Sequence, residues 1–355
     1  MEPMTTPRLS ELTTLRVGGP ARELVETGTE AELIDAVKAA DASGTPLLVL
    51  GGGSNLLVGD DGFDGVVVRD TRADVTLVND GACGGLSITA TAGTPWDDLV
   101  AQAVESEWSG FEALSGIPGS TGATPVQNVG AYGAEVADIV ALIRTWDRAE
   151  RAVKSLPLVK AQFGYRDSML KRTVTSGEWG PTPRYVVLDV TFHTRMASLS
   201  APIRYQQLAT ALDVEIGARV PITDVRAAVL ALRASKGMVL DARDHDTWSA
   251  GSFFTNPIIA SDVLPDGAPA YPAVGDGKVK TSAAWLIEHA GFPRGYAVAP
   301  DAPASLSTKH TLALTNRGGA HAADLLALAR AVREGVRESY GITLVPEPML
   351  VGAEF

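Results

Sequence analysis

The sequence predicts an α+β chain of two or three domains. Its 355 residues exceed what one ordinary core holds. Segments of helical period alternate along it with short apolar runs of strand length. Its 36 glycines are clustered, which marks tight turns or backbone that approaches a ligand closely. Hydrophobic residues at 45% and charged residues at 20% fit a globular protein and not a disordered one.

In chain order, Thr29-Glu30-Ala31-Glu32 is a capping-box pattern opening a helix that ends near Ser43-Gly44. Pro46 to Leu50 reads as a short buried strand running into Gly51-Gly52-Gly53-Ser54-Asn55, and Val66 to Val68 as a second strand. Ser87 to Ala92 alternates as a strand does and stops at Gly93. Trp96 to Glu107 is helical, with Leu99, Val100, Ala103 and Val104 on one face. A second glycine-rich block runs from Gly116 to Gly133, and Tyr185 to Phe192 is a strand. The stretch from Ala197 to Arg219 is polar, so the best boundary lies near residue 220. Beyond it come helices at about Thr223 to Ser235, near Ser282 to Ala290, and from Ala322. The last carries Leu325, Leu328, Val332, Val336 and Tyr340 at helical spacing and stops at Gly341. Ile342 to Val345 reads as a strand leading into Pro346-Glu347-Pro348.

A formal net charge of −12 argues against a nucleic-acid partner, which needs a basic surface. A single cysteine, Cys83, rules out an intrachain disulfide and makes a thiolate metal site improbable, so no metal is expected. Glu2 and Glu11 interrupt the N-terminus where a signal peptide needs an apolar core, and no run reaches the ~20 apolar residues of a membrane span. A cytoplasmic chain with no membrane partner is expected, as a monomer.

Gly51-Gly52-Gly53-Ser54-Asn55 after a strand suits a nest of N–H groups around an anion, with hydroxyl and amide side chains adding bonds. A plain glycine-rich turn is the alternative. The block lacks the Lys-Ser/Thr of a P-loop and the spacing of the dinucleotide fingerprint. The second block, Gly116 to Ala123 followed by Gln127-Asn128-Val129-Gly130-Ala131-Tyr132-Gly133, suits a diphosphate and a planar heterocycle. Gly251-Ser252-Phe253-Phe254-Thr255-Asn256-Pro257 places a hydroxyl between a glycine and two aromatics, as at the edge of a dry apolar pocket, or else as a serine in a turn. Arg166 in Tyr165-Arg166-Asp167-Ser168 offers a fixed cationic fork for a carboxylate, or else pairs with Asp167 at the surface. Taken singly, Glu347 between two prolines, Tyr205 in the polar stretch and Lys236 at a helix end have ordinary structural readings too.

The two glycine blocks resemble the flavin cradle of the vanillyl-alcohol-oxidase, or PCMH-type, fold, in which two α+β subdomains clamp FAD. Along almost the full length the chain is similar to the UDP-N-acetylenolpyruvoylglucosamine reductase family. The matching motifs are the two blocks, Tyr165-Arg166-Asp167-Ser168, Gly251-Ser252-Phe253-Phe254 with Asn256-Pro257, Ala283-Ala284-Trp285-Leu286-Ile287, and Pro346-Glu347. The resemblance implies FAD-binding subdomains at 1–70 and 71–220, the second rejoined by 346–355, and a smaller substrate-binding domain at 221–345. It implies noncovalent FAD, because the first histidine, His193, lies outside both blocks. NADPH would reduce the flavin and UDP-N-acetylglucosamine enolpyruvate would reoxidise it.

It further implies that Arg166 and Glu347 stabilise carboxylate charge and that Ser252 donates a proton. Cofactor contacts would come from Gly51, Gly52, Gly53, Ser54, Asn55, Leu56, Ser115, Ile117, Pro118, Gly119, Ser120, Gly122 and Ala123. Gln127, Asn128, Gly130, Ala131, Tyr132, Gly133 and Val187 complete that set. Substrate contacts would come from Tyr132, Tyr165, Tyr205, Lys236 and Asn256, with Tyr205 in a loop that marks the longer subfamily. The chain departs from the family pattern at Gly237-Met238, at Pro348, and at Lys309-His310, where relatives offer a glutamine. A flavin oxidase on the same cradle and a noncatalytic nucleotide-sugar-binding protein are the competing functions. The oxidase would not need Arg166, Ser252 and Glu347 together, and the binding protein would be colourless, without flavin.

Overall fold

The computed structural model describes residues 7–78, 85–273 and 275–355, so Cys83 and Glu2 lie outside the described residues. The backbone groups into two compact units. One holds Ala21–Gly53 and Asp64–Ser235, the other Arg8–Pro20, Ser54–Phe63 and Lys236–Phe355.

In the first unit, Ala21–Thr27, Phe63–Asp70 and Leu47–Leu50 form a three-stranded sheet with Phe63–Asp70 central. The helix Glu30–Ser43 starts on the predicted capping box, with Glu32 N–H donating to Thr29 Oγ1 at 3.2 Å and Thr29 N–H to Glu32 Oε2 at 3.1 Å. It ends on Gly44 at φ 65°. Leu33, Val37 and Ala40 bury its inner face against Leu47 and Val68. A larger antiparallel sheet runs in the order Ala152–Pro157, Val140–Asp147, Tyr185–Met196, Gly85–Thr91, Val75–Val78. The helix Trp96–Glu105 covers it with Trp96, Leu99, Val100 and Ala103, all fully buried with Phe111 and Phe192. That helix stops short of the predicted Glu107, which takes φ 58°.

The expected boundary near residue 220 falls instead at Ser235/Lys236. The helix Ile222–Ser235 packs Val225 and Val229 on Ile203, Leu208 and Ala209 of the preceding polar stretch. Arg226 also binds Asp97 through both nitrogens, at 2.7 and 2.9 Å.

In the second unit, Ala322–Tyr340 buries Leu325, Leu328, Val332 and Val336 and ends on Gly341 at φ 69°, as its spacing predicted. Its stripe packs with Ala283–His289, Leu306, Leu314 and the aromatic pair Phe253 and Phe254. The C-terminal strand Met349–Val351 pairs in parallel with Leu56–Val58, and residues 346–355 group with this unit. The predicted strand from Ile342 to Val345 is absent: only Pro346 bridges Phe254. Pro346 and Pro348 have no N–H to extend a ladder. Among the described residues no helix is long and apolar enough to cross a membrane.

Candidate active site

The first glycine block leaves the strand Leu47–Leu50 and meets the second. A Cβ on Gly52 would stand 2.6 Å from the Gly119 Cα, and one on Gly51 would stand 2.5 Å from Ser120 Oγ. Gly53 and Gly119 sit at φ 61° and 132°. Side chains at Gly51 and Gly52 would separate the two backbones, and the φ values of Gly53 and Gly119 favour glycine on conformational grounds. The juxtaposition fits a group bound along backbone, as a diphosphate is. Part of the second block serves the fold: Thr121, Gly122 and Ala123 N–H donate to Thr94, Ala92 and Ser120 carbonyls at 2.8, 2.9 and 3.0 Å. Gly122 is also tight, since a Cβ there would lie 2.5 Å from that of Ala92.

Several expected cofactor contacts have structural work in this fold. Ser115 is fully buried and donates to Glu112 O at 2.7 Å. Ile117 packs against the large core, and Val187 lies within it at 7% exposure. Pro118 precedes Gly119 on the loop and is half-buried. Asn55 O accepts Met349 N–H at 3.0 Å, and Leu56 pairs with Met349. Gln127 ends the short helix Thr124–Gln127.

Two turns carry Tyr132, Tyr165 and Arg166. Gly130–Ala131 pairs with Ala134–Glu135, leaving Tyr132 and Gly133 at the tip with φ 50° and 83°. Gly164 and Asp167 exchange backbone bonds at 2.9 and 3.2 Å, with Tyr165 and Arg166 at the tip and Arg166 at φ 53°. Asn128, 1% exposed and itself at φ 46°, ties the turns together. Its amide donates to Gly164 O at 2.8 Å and to Glu135 Oε2 at 2.9 Å. Arg166 Nη2 donates to Gly130 O at 3.1 Å. Asp167 takes Arg172 as an ion-pair partner. Tyr165 is 37% exposed beside Arg166. Tyr205, 44% exposed, meets the Tyr132 ring edge-on at 5.7 Å and 89°. Burial pushes the Tyr132 hydroxyl pKa up, with Arg233 opposing.

Arg233 is the residue that sequence reasoning missed. It is 8% exposed, its Nε donates to Gly116 O at 3.1 Å, and its charge acts on Tyr132, Asp97 and Arg166. The signal was available: Ile222, Val225, Val229 and Arg233 share the buried stripe of one helix, and only Arg233 is charged.

In the second unit, Ser252 is half-buried after Gly251 at φ 70°. Phe253 N–H donates to Leu312 O at 2.7 Å, Glu347 N–H donates to Phe253 O at 2.8 Å, and Thr255 N–H donates to Val345 O at 3.1 Å. Ser252 and Glu347 are therefore carried on adjacent backbones. Phe253 and Phe254, each 1% exposed, pack on each other and on Phe355. They anchor the segment in the core and are not the open dry wall that was expected. Asn256 Oδ1 accepts Ala283 N–H at 2.9 Å, capping the helix Ala283–His289. Lys236 acts electrostatically on His310, whose pKa is lowered to about 4 by burial first, then by Lys236 and Arg294, against Glu288. Lys309 is paired with Asp244 at 2.5 Å. Gly237, where the family pattern has leucine, takes φ 66° against the Asp246 carbonyl, a place without room for a side chain.

A family model described as FAD binding domain matches residues 21–154, and one described as UDP-N-acetylenolpyruvoylglucosamine reductase, C-terminal domain, matches 243–351. The UDP-N-acetylenolpyruvoylglucosamine reductase of Cutibacterium acnes is 56% identical over 97% of this chain and 89% of its own length. That of Nocardia farcinica is 54% identical over 97% and 88%. The crystal structure of the reductase from Thermus caldophilus matches with a TM-score of 0.66 and 27% identity over 97% of both chains. The chain belongs to the UDP-N-acetylenolpyruvoylglucosamine reductase family.

Proposed function

We propose that the chain reduces UDP-N-acetylglucosamine enolpyruvate to UDP-N-acetylmuramate in peptidoglycan synthesis, with NADPH as reductant and noncovalent FAD. The observation that carries the reading is the bridge that sets Glu347 N–H 2.8 Å from Phe253 O, one residue from Ser252. It supplies a hydroxyl and a carboxyl on neighbouring strands of chain, which a flavin oxidase has no need of.

FAD, when bound, supplies the hydride relay from NADPH to the terminal carbon of the enolpyruvyl ether. Backbone donors at Gly52, Gly53, Gly119 and Ser120 are assigned to its diphosphate, since the neighbouring N–H groups of Gly122 and Ala123 are already bonded to carbonyls. Arg166 is assigned to the substrate carboxylate, where charge accumulates as the hydride arrives. A permanent two-pronged cation suits that task, and its bond to Gly130 O limits its motion. Glu347 is assigned to the same group through a hydrogen bond. Ser252 Oγ gives its proton to the carbon beside the carboxylate. A hydroxyl is a weak acid, so transfer requires the strongly basic carbon that hydride addition creates. Tyr205 and Lys236 are assigned to the UDP diphosphate.

The test is anaerobic. NADPH should bleach the flavin of the purified protein, and UDP-N-acetylglucosamine enolpyruvate should restore the colour with formation of UDP-N-acetylmuramate. Bleaching without recovery on substrate addition would overturn the assignment.

A further inference from the structure

A cavity of about 330 Å³ lies within the first compact unit, walled chiefly by residues 109–110, 112–113, 132–134, 138–139, 193–195 and 201–204 together with Leu208, Arg219 and Val225. In a chain of net charge −12 three arginines, Arg195, Arg204 and Arg219, reach its lining against two carboxylates. Both carboxylates are committed to the fold. Glu112, 2% exposed, accepts Gly110 N–H at 2.6 Å and Ala201 N–H at 2.9 Å. Asp138 accepts Glu135 N–H at 2.9 Å and stands 3.8 Å from Arg204. Arg219 donates to Ser200 O at 2.8 Å, a bond to a neutral carbonyl that holds the guanidinium in place without cancelling its charge. Local arginines can dominate the potential of a concave site even in an acidic protein.

We infer that this cavity binds a small polyanionic metabolite, recognised by its carboxylate or phosphate groups, and that the occupant sets the position of the Tyr205 segment. Its volume suits a small organic anion. Residues 201–204 and Leu208 form one wall, and Tyr132 both lines the cavity and meets the Tyr205 ring at 5.7 Å. An anion pulling on Arg204 therefore acts on the chain immediately before Tyr205. This second half rests on the assignment of Tyr205 to the substrate; the binding site itself does not.

The experiment is a calorimetric titration of the flavin-loaded protein with citrate and, separately, inorganic pyrophosphate, without substrate or NADPH. Saturable binding of at least one probe is expected. Arg195→Ala should weaken it about tenfold or more, the worth of one charged hydrogen bond. Arg195→Lys should recover part of the loss, and Lys236→Ala should bind as the wild type does. Equal affinity in Arg195→Ala, loss in Lys236→Ala, or no saturable binding of either probe would overturn the inference. Retained flavin absorbance identifies variants that have folded. A failed anaerobic assay beside a successful titration would remove the reductase assignment and leave the cavity standing.

Discussion

Arg166 and Tyr132 stand at the tips of two-residue turns, at φ 53° and 50°, which non-glycine residues adopt at a cost of about 1–2 kcal/mol each. Side-chain bonds maintain them, through Asn128 to Gly164 O and Arg166 to Gly130 O. Ser252 and Glu347 are held otherwise, by backbone bonds beside Phe253 and Phe254, which are sunk in the core of their unit. The first arrangement stores strain at the functional residue itself. The second leaves the functional residues relaxed and places the stabilisation elsewhere, in two buried rings. Substitutions should therefore separate chemistry from stability at Ser252, and mix the two at Arg166.

The largest effect is expected at Ser252→Ala. Flavin reduction by NADPH should be nearly unchanged, while reoxidation by the enolpyruvyl substrate slows at least about a hundredfold, with the melting temperature retained. Stopped-flow measurement of the two half-reactions checks this, and equal loss in both would remove Ser252 from the proton-donor role. Arg166→Lys should reduce turnover about a hundredfold. Lysine brings one point charge in place of a fork that can bond Gly130 O and still present a second nitrogen to the carboxylate assigned to it. Here the melting temperature should fall too, and wild-type turnover would refute the assignment.

The difference between the two regions also explains what could be read from the sequence. The glycine blocks, the capping box and the Ser252 and Glu347 motifs are contiguous, so their chemistry is local and visible. The role of Asn128 is not: its partners Glu135 and Gly164 become neighbours only once two turns have folded. The boundary at Ser235 was hidden for the same reason. The helix Ile222–Ser235 follows a polar stretch, and only the tertiary fold shows that Ile203 and Leu208 in that stretch form its packing surface. Phe253 and Phe254 were legible as apolar, yet nothing local distinguishes a pocket wall from a core.

A smaller effect is expected at His310. Its folded pKa of about 4 lies below the ordinary value of 6.5, so the folded protein favours the neutral ring. The stability this provides is complete above about pH 6.5 and is lost as pH falls toward 4. Lys236 and Arg294 drive the shift alongside burial, and Glu288 opposes it. His310→Gln should flatten the dependence of melting temperature on pH across that window. An unchanged profile would show that other groups set it.

The smallest effect separates two kinds of glycine. In Gly52→Ala the new Cβ would meet the Gly119 backbone at 2.6 Å, with no flexible side chain to yield, so the two blocks must part and flavin should be retained poorly. Gly251 is the reverse case, a left-handed backbone with no crowding: φ is 70°, and beyond its chain neighbours nothing lies within 4 Å of where a methyl group would stand. Gly251→Ala should then cost about 1 kcal/mol through its backbone alone, read as a lowered urea midpoint, with turnover kept. If turnover collapses while stability barely moves, the open space beside Gly251 is where substrate lies. The glycine before Ser252 would then serve ligand approach, the role proposed for the glycines of the first unit, and the contrast between the two regions would narrow to the aromatic anchor.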